Sequence, residues 1–411
     1  MYMMCIYLWR DKISRTIAIV RECTKVFKAV PLLMFYPLVE IFFYLCEVVY
    51  FVSIGGYIIT QGSTVWAELS DEIQNRIGSN SSLVDSRGAF VAEGTDSLLN
   101  RLNNLSTETQ VAILLTIHVV GFVWGLFLIH ACYYTTVAGV VARWFFGNKK
   151  DERPKSFGCG IGVIWISAWC VITRHLGSMA FGSLIMTFVW FVRTSLAWLD
   201  YRTKDLQDTN CLLKIAVKCA RCVVWCLYKS IEMLTEFGYV FIAIEGCNLC
   251  SACRSVFALL ERQGAQVATN KMVGGILSLI ISFSIPSICA LICFGWVRYE
   301  LPDVNALWPA LTVFASAFLV ASGVTEVFRC TIDTVFVAAF KDLDSHGDPL
   351  YMSDDLRRGF DLPATSQNEG EGIKMMRPSY TEGIVGRGGG DHRDTRGPSM
   401  ALPRTSVSGN V

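Results

Sequence analysis

Long apolar stretches alternate along this chain with short polar ones, at intervals that set out a membrane topology. The stretch 174–200 (RHLGSMAFGSLIMTFVWFVRTSLAWLD) carries no charge between His175 and Arg193. A predominantly apolar run of about 17–25 residues is enough to cross a hydrocarbon core of about 30 Å. Its small residues, Gly177, Ser178, Ala180, Gly182 and Ser183, gather at one end. Small residues let helix backbones approach closely in lipid, where no hydrophobic force drives helices together. This segment is therefore expected to pack against other helices, with Gly177, Gly182 and His175 as packing positions.

The remaining spans read off in order. Residues 10–30 are basic (Arg10, Lys12, Arg15, Arg21, Lys25, Lys28 against Asp11 and Glu22), with apolar residues at Ile13, Ile17, Val20 and Phe27. Basic flanks stay cytosolic, so 1–30 is expected to be the stub of an upstream helix followed by a cytosolic-surface helix. Spans are expected at 35–59, 111–141, 178–199, 223–244, 273–297 and 306–330. The loop 60–109 holds seven acids and the sequons at Asn80 and Asn104, opposite that basic segment. It is expected to be exoplasmic and glycosylated at those two asparagines. Between 157 and 192 only Arg174 and His175 are titratable at ordinary pH, which fits two short helices broken there, the second crossing. The chain is cytosolic near Lys149, and two good spans precede a cytosolic tail. Either 178–199 and 223–244 both cross or neither fully does; two crossings are favoured. The fold expected is an all-α polytopic transmembrane bundle of about six spans over 31–345, with a disordered cytosolic tail over 346–411 rich in Gly, Arg, Pro and Ser.

Composition agrees. Of 411 residues 53% are hydrophobic and 17% charged, the mean hydropathy is +0.43, and the net charge of +1 gives no field for nucleic acid. Sixteen cysteines are present, yet none between Cys46 and Cys132, where a disulfide scaffold would need them. They read as reduced thiols. The clusters Cys219-x2-Cys222-x3-Cys226 and Cys247-x2-Cys250-x2-Cys253 have metal-like spacing but lie in apolar helical context, where S-acylation or packing is the better reading.

No Walker loop, Rossmann fingerprint, HExxH motif or serine triad is legible, so no enzyme and no cofactor are expected. Gly158-x-Gly160-x-Gly162 sits in an apolar run and reads as packing. What stands out is acids within spans, which are costly enough to mark a function. Glu40 and Glu47 lie one heptad apart on the first span, and Glu47 is expected on a cation pathway. His118 and His130 read as ordinary polar contacts. For an organic cation, aromatic faces are the expected ligands, because cation–π attraction grows when the ion is desolvated. Trp124, Trp144, Trp165, Trp190, Tyr239 and Trp296 are available.

Four stretches carry a resemblance. They are Arg15-x-Ile17-Ala18-Ile19-Val20-Arg21-Glu22 with Phe35-Tyr36-Pro37-Leu38; Arg174-His175-x-Gly177-Ser178-x-Ala180-Phe181-Gly182-Ser183-Leu184-Ile185; Tyr239-x2-Ile242-Ala243-Ile244-x-Gly246-x-Asn248-x-Cys250-Ser251-Ala252; and Cys330-x2-Asp333-Thr334-x-Phe336 with Asp342-Leu343 and Tyr351-Met352-Ser353. In this order they resemble the choline transporter-like family, over about residues 10–355. The resemblance implies a multi-pass protein of the plasma membrane. It would move choline, or a related amine such as ethanolamine, by facilitated diffusion or exchange, for phospholipid synthesis. Set against that family, the chain is expected to lack the N-terminal spans and the large first exoplasmic loop. Substrate-binding positions are expected at Glu47, Trp190, Tyr239, Glu245 and Asn248. The competing reading is a non-transporting membrane scaffold or receptor-like protein that works through its cytosolic tail.

Overall fold

The computed structural model describes residues 2–80, 102–147, 160–204, 211–301, 303 and 305–363, which form one unit. The described residues are helical, with no strand among them. That outcome is what lipid demands, since a helix satisfies its own backbone groups without water. Helix α1 is Tyr2–Ala29, followed by a 3-10 turn at Pro31–Phe35. Helix α2 is Pro37–Asn80, α3 is Thr107–Phe146 and α4 is Ile161–Cys170. A π-helical turn, Val171–His175, leads from α4 into α5, Leu176–Arg202. Helix α6 is Cys211–Glu245, α7 is Leu249–Glu300, α8 is Leu307–His346 and α9 is Asp354–Gly359.

Among the described residues five segments are long and apolar enough to cross a membrane: Pro31–Gly62, Thr107–Phe146, Ile161–Arg202, Leu249–Glu300 and Leu307–His346. Helix α6 falls outside that set because Lys229, Glu232 and Glu236 interrupt its apolar face. It is nonetheless 35 residues long, about 50 Å at 1.5 Å per residue, and packs along α3, α5 and α7. The break expected at Arg174-His175 is a π-turn within one continuous rod, so 161–202 forms a single segment rather than a surface helix and a span. Helix α1 packs on α7, α8 and α9 and buries Thr16, Ile19, Glu22, Cys23 and Val26.

Two long helices bend where the sequence gives no proline. Gln61 in α2 (φ −124°, ψ 21°) and Gln263 in α7 (φ −131°, ψ 19°) leave helical geometry. The first bend falls at the C-terminal end of the apolar run 31–62. The second separates the N-terminal arm of α7 from its longer apolar part.

Helix α3 is the centre, packed against α2, α5, α6 and α8. Burial is uneven along it. Its C-terminal half, from Ala131 through Phe145, contributes most of its buried residues, whereas Ile117 and Val119 are exposed. The same holds for α6, where Phe237 to Ala243 are buried but Val223, Trp225 and Leu227 are exposed, and for α8, where Thr331 to Ala339 are buried. This end of the bundle is thus a dense apolar plug built from α1, α3, α6, α7 and α8.

Residues 347–363, the start of the expected tail, fold back over that plug. The Asp342 carboxylate accepts the backbone N–H groups of Leu350, Tyr351 and Met352 at 3.1, 2.7 and 3.1 Å. Buried Arg357 donates to the Pro349 and Pro363 carbonyls and to Asp348. Helix α9 then lies on α1, with Ser353 donating to Glu22 at 2.7 Å and Lys25 to Asp355 at 3.2 Å. The chain from 364 to 411, including the Gly386–Gly390 run, lies outside the described residues.

Candidate functional site

Above the plug, at mid-height of the spans, α2, α3, α5 and α6 enclose a cavity of about 660 Å³. That is the size of a small-molecule site. Its walls are largely aromatic and apolar: Tyr44, Phe122, Phe127, Met186, Trp190 and Tyr239. Its polar groups are His130, Thr235 and two carboxylates, Glu232 and Glu236.

The local sequence explains the arrangement. Glu232, Glu236 and Tyr239 stand four and three residues apart, so they form one stripe of α6. Trp190 comes from α5, which can approach α6 closely because Gly182 carries no side chain. Trp124 of α3 adds a second tie, its Nε1 donating to Ser183 Oγ at 3.0 Å. The signature segment 174–185 therefore sets the distance between the cavity walls. Within it the expected packing positions divide: Gly182 faces Tyr239, whereas a Cβ on Gly177 would meet open space and His175 ends the π-turn half-buried.

Charges surround the cavity in pairs. Glu232 Oε2 lies 2.5 Å from Lys229 Nζ, and Glu236 Oε2 lies 2.6 Å from Lys271 Nζ. Lys271 also reaches Asp333 at 2.7 Å, and Tyr134 donates to the same Asp333 oxygen at 3.0 Å. On the opposite wall Glu40, buried behind the cavity surface, accepts from Tyr44 at 2.9 Å and stands 3.1 Å from His130 Nδ1. Each buried acid thus has a hydrogen-bonding partner, as burial of charge in lipid requires.

Of the five expected substrate positions the structure brings two together, Trp190 and Tyr239. Glu47 lies one turn beyond Tyr44, against Gly125 of α3, beside the cavity rather than in its lining. Glu245 sits at the C-terminal end of α6, paired with Lys341 at 2.8 Å. Asn248 accepts from the Ser251 N–H at 2.9 Å and so caps α7. Just before it Gly246 takes a φ of +67°, and its N–H bonds the Ile242 carbonyl, ending α6. His118 makes the ordinary contact expected, stacked on Phe51 and bonded to the Phe51 carbonyl at 3.0 Å. His130 does more, since it lines the cavity. Glu232, Glu236, Thr235 and Tyr44 were not expected in the site from sequence. The 232–236–239 stripe on a helix otherwise apolar at its inner end was the available signal.

Of the sequons, Asn104 is exposed in the turn before α3; Asn80 ends α2, its side chain outside the described residues. Cys219, Cys222 and Cys226 are exposed on α6, and Cys250 on α7.

Comparison with known proteins gives the lineage. A family model described as "Plasma-membrane choline transporter" matches residues 1–344. Curated relatives named choline transporter-like protein 2 align over 85% of this chain. The pig protein is 28% identical over 365 residues, covering 51% of its length. The Dictyostelium discoideum protein is 26% identical over 356 residues (50% of its length), and the human protein 26% over 373 residues (51%). The chain spans about half the length of the curated relatives it matches. With a family model covering more than half of its residues, an all-helical bundle and an aromatic, acid-lined cavity at its centre, this multi-pass membrane protein belongs to the plasma-membrane choline transporter family.

Proposed function

We propose that the chain carries choline, or a closely related amine such as ethanolamine, across a membrane through the cavity between α2, α3, α5 and α6, by facilitated diffusion or exchange. The observation that carries this reading is the meeting of Trp190, Tyr239 and Tyr44 with the Glu232 and Glu236 carboxylates in one enclosure. A quaternary ammonium offers no N–H donor. It is held by aromatic faces and a nearby negative charge, which together replace its water. The hydroxyls of Tyr44, Tyr239 and Thr235 suit the alcohol end of the same molecule. An anionic solute would be repelled by the two carboxylates.

The dense cytosolic half beneath the cavity fits a state closed toward the cytosol. Plasma-membrane residence, supply of phospholipid synthesis and glycosylation at Asn80 and Asn104 belong to the same proposal. Among the described residues no grouping of His, Cys, Asp and Glu is suited to a metal ion, so the reading rests on the organic cation alone.

The test is uptake of labelled choline by choline-transport-deficient cells expressing the chain at their surface, with ethanolamine and tetramethylammonium as competitors. Saturable uptake blocked by both excess choline and tetramethylammonium supports the reading, and it should survive deletion of residues 364–411. Absence of uptake with confirmed surface expression contradicts transport by this chain, and loss of function on tail deletion would favour a scaffold instead.

A further inference from the structure

Lys271 joins four helices at one ammonium group. It projects from α7 to Glu236 on α6 at 2.6 Å and to Asp333 on α8 at 2.7 Å, while Tyr134 of α3 donates to that same Asp333 oxygen. The ammonium also stands 5.0 Å from the centre of the Phe237 ring. This cluster occupies the boundary between the cavity, which Glu236 lines, and the apolar plug, which begins at Phe237. Below it, the α6 residues Val240, Phe241 and Ile242 are buried in the same core as Val335 to Ala339 of α8. The other cation at this level, Arg329, is engaged by Glu326 at 3.1 Å.

The charge count at this point is two carboxylates to one ammonium. With the cavity empty, Lys271 serves both acids. If a cation in the cavity pairs with Glu236, Lys271 can withdraw to Asp333, which is 4% exposed and already holds the Tyr134 hydroxyl. Every buried charge then keeps a partner, so the swap leaves no unpaired ion in a low-dielectric site. The swap also removes the ionic tie between α6 and α7 at this level, leaving, among the described residues, Glu245–Lys341 at the C-terminal end of α6 as the remaining one to α8.

We propose that Lys271 is a tethered counter-cation: it occupies Glu236 when the cavity is empty, competes there with the transported organic cation, and on displacement toward Asp333 releases α6 from α7 so that the cytosolic plug can open. The inference rests on the organic-cation reading of the cavity. Lys271 acts as a positioning residue, since it touches the lining residue Glu236 but does not itself line the cavity.

The test compares the purified full chain with two variants. In Lys271→Gln/Asp333→Asn the pair is removed together, so Asp333 is not left as a stranded charge, and Glu236 is left free for the ligand. Labelled choline should bind this variant about tenfold more tightly, the order expected when one charge-assisted hydrogen bond no longer competes. Lys271→Arg keeps the charge and forks across both acids, so it should bind choline several-fold more weakly than the wild type. The second readout is alkylation of the buried cysteines Cys23 and Cys330, resolved by mass spectrometry. Choline should accelerate it in the wild type, and in the double variant it should be fast with or without choline. Unchanged or weaker choline binding by a well-folded double variant, or Lys271→Arg binding as the wild type does, overturns the inference while leaving the cavity's assignment intact. No binding of choline or tetramethylammonium to any of the three proteins overturns both.

Discussion

A Cβ placed on Gly182 of α5 would lie 2.5 Å from the Tyr239 hydroxyl oxygen of α6 and 3.0 Å from the nearest ring carbon. The α5–α6 contact therefore has no room for a side chain at 182, and the residue that would be displaced is one of the cavity walls. Gly182→Ala should push the Tyr239 ring out of place, at a cost in the range of overpacking, about 1–3 kcal/mol, and lower choline uptake. Tyr239→Phe in the same chain removes the nearest clashing atom and should recover part of the melting temperature. A Gly182→Ala protein as stable and active as the wild type would show that the contact is loose.

Trp190 and the neighbouring aromatics should contribute to binding in proportion to their cation–π attraction. Trp190→Ala is expected to weaken choline binding by about 1–2 kcal/mol, roughly 5–30-fold, and Trp190→Phe by less. Equal affinity in all three proteins, measured with labelled choline on the purified chain, would remove Trp190 from the site.

How far this site was legible from sequence depends on the kind of signal. Trp190 and Tyr239 could be read because aromatics in apolar spans next to small-residue motifs have few ways to be placed. Glu236 could not, because a helix carrying Lys229, Glu232 and Glu236 reads as amphipathic surface until its neighbours are known. Only packing against α3, α5 and α7 turns that polar face inward. Glu245 and Asn248 drew attention through the motif around Gly246. In the structure that motif carries a chain break: a left-handed glycine ends α6 and an asparagine caps α7. The Asn248-x2-Ser251 pattern was a capping signal available from the start. The bends at Gln61 and Gln263 had no local signature, being set by where the apolar runs end and what they pack on.

The cytosolic strap depends on Asp342. Asp342→Ala removes the acceptor for three backbone N–H groups, and hydrogen bonds to a charged group contribute about 1.5–3 kcal/mol. Hydrogen exchange should rise across 347–363 and over the α1 residues beneath them, with little change in α3. Unchanged protection of 347–363 would contradict the role given to this carboxylate.

The same strap should respond to acid. The hydrogen bond from Lys25 holds the exposed Asp355 carboxyl below its usual range. A depressed folded-state value means the contact stabilises fully above the unfolded value, about pH 4, and is lost as pH falls through the lower folded value. The protection factor of 354–359, taken against the intrinsic exchange rate at each pH, should therefore be flat from neutral pH to about pH 4 and fall below it. In Lys25→Gln it should be lowered already at neutral pH. Identical profiles for the two proteins would rule out this pair as a clamp.

The sequons offer a check on sidedness. Asn104 is exposed just before the N-terminus of α3; if that end is exoplasmic, a glycosidase-sensitive shift in gel mobility should shrink with Asn104→Gln and vanish when Asn80→Gln is added. A shift that survives the double variant, or no shift in the wild type, would count against an exoplasmic 60–109 loop.

The central claim is that the cavity between α2, α3, α5 and α6 holds the organic cation, and an electron cryo-microscopy structure of the full chain with saturating choline tests it most directly. The account predicts density for choline between Trp190, Tyr239 and Glu236, lost in Glu236→Gln under the same conditions. An empty cavity with choline density elsewhere in the bundle, or density unchanged in Glu236→Gln, would contradict it.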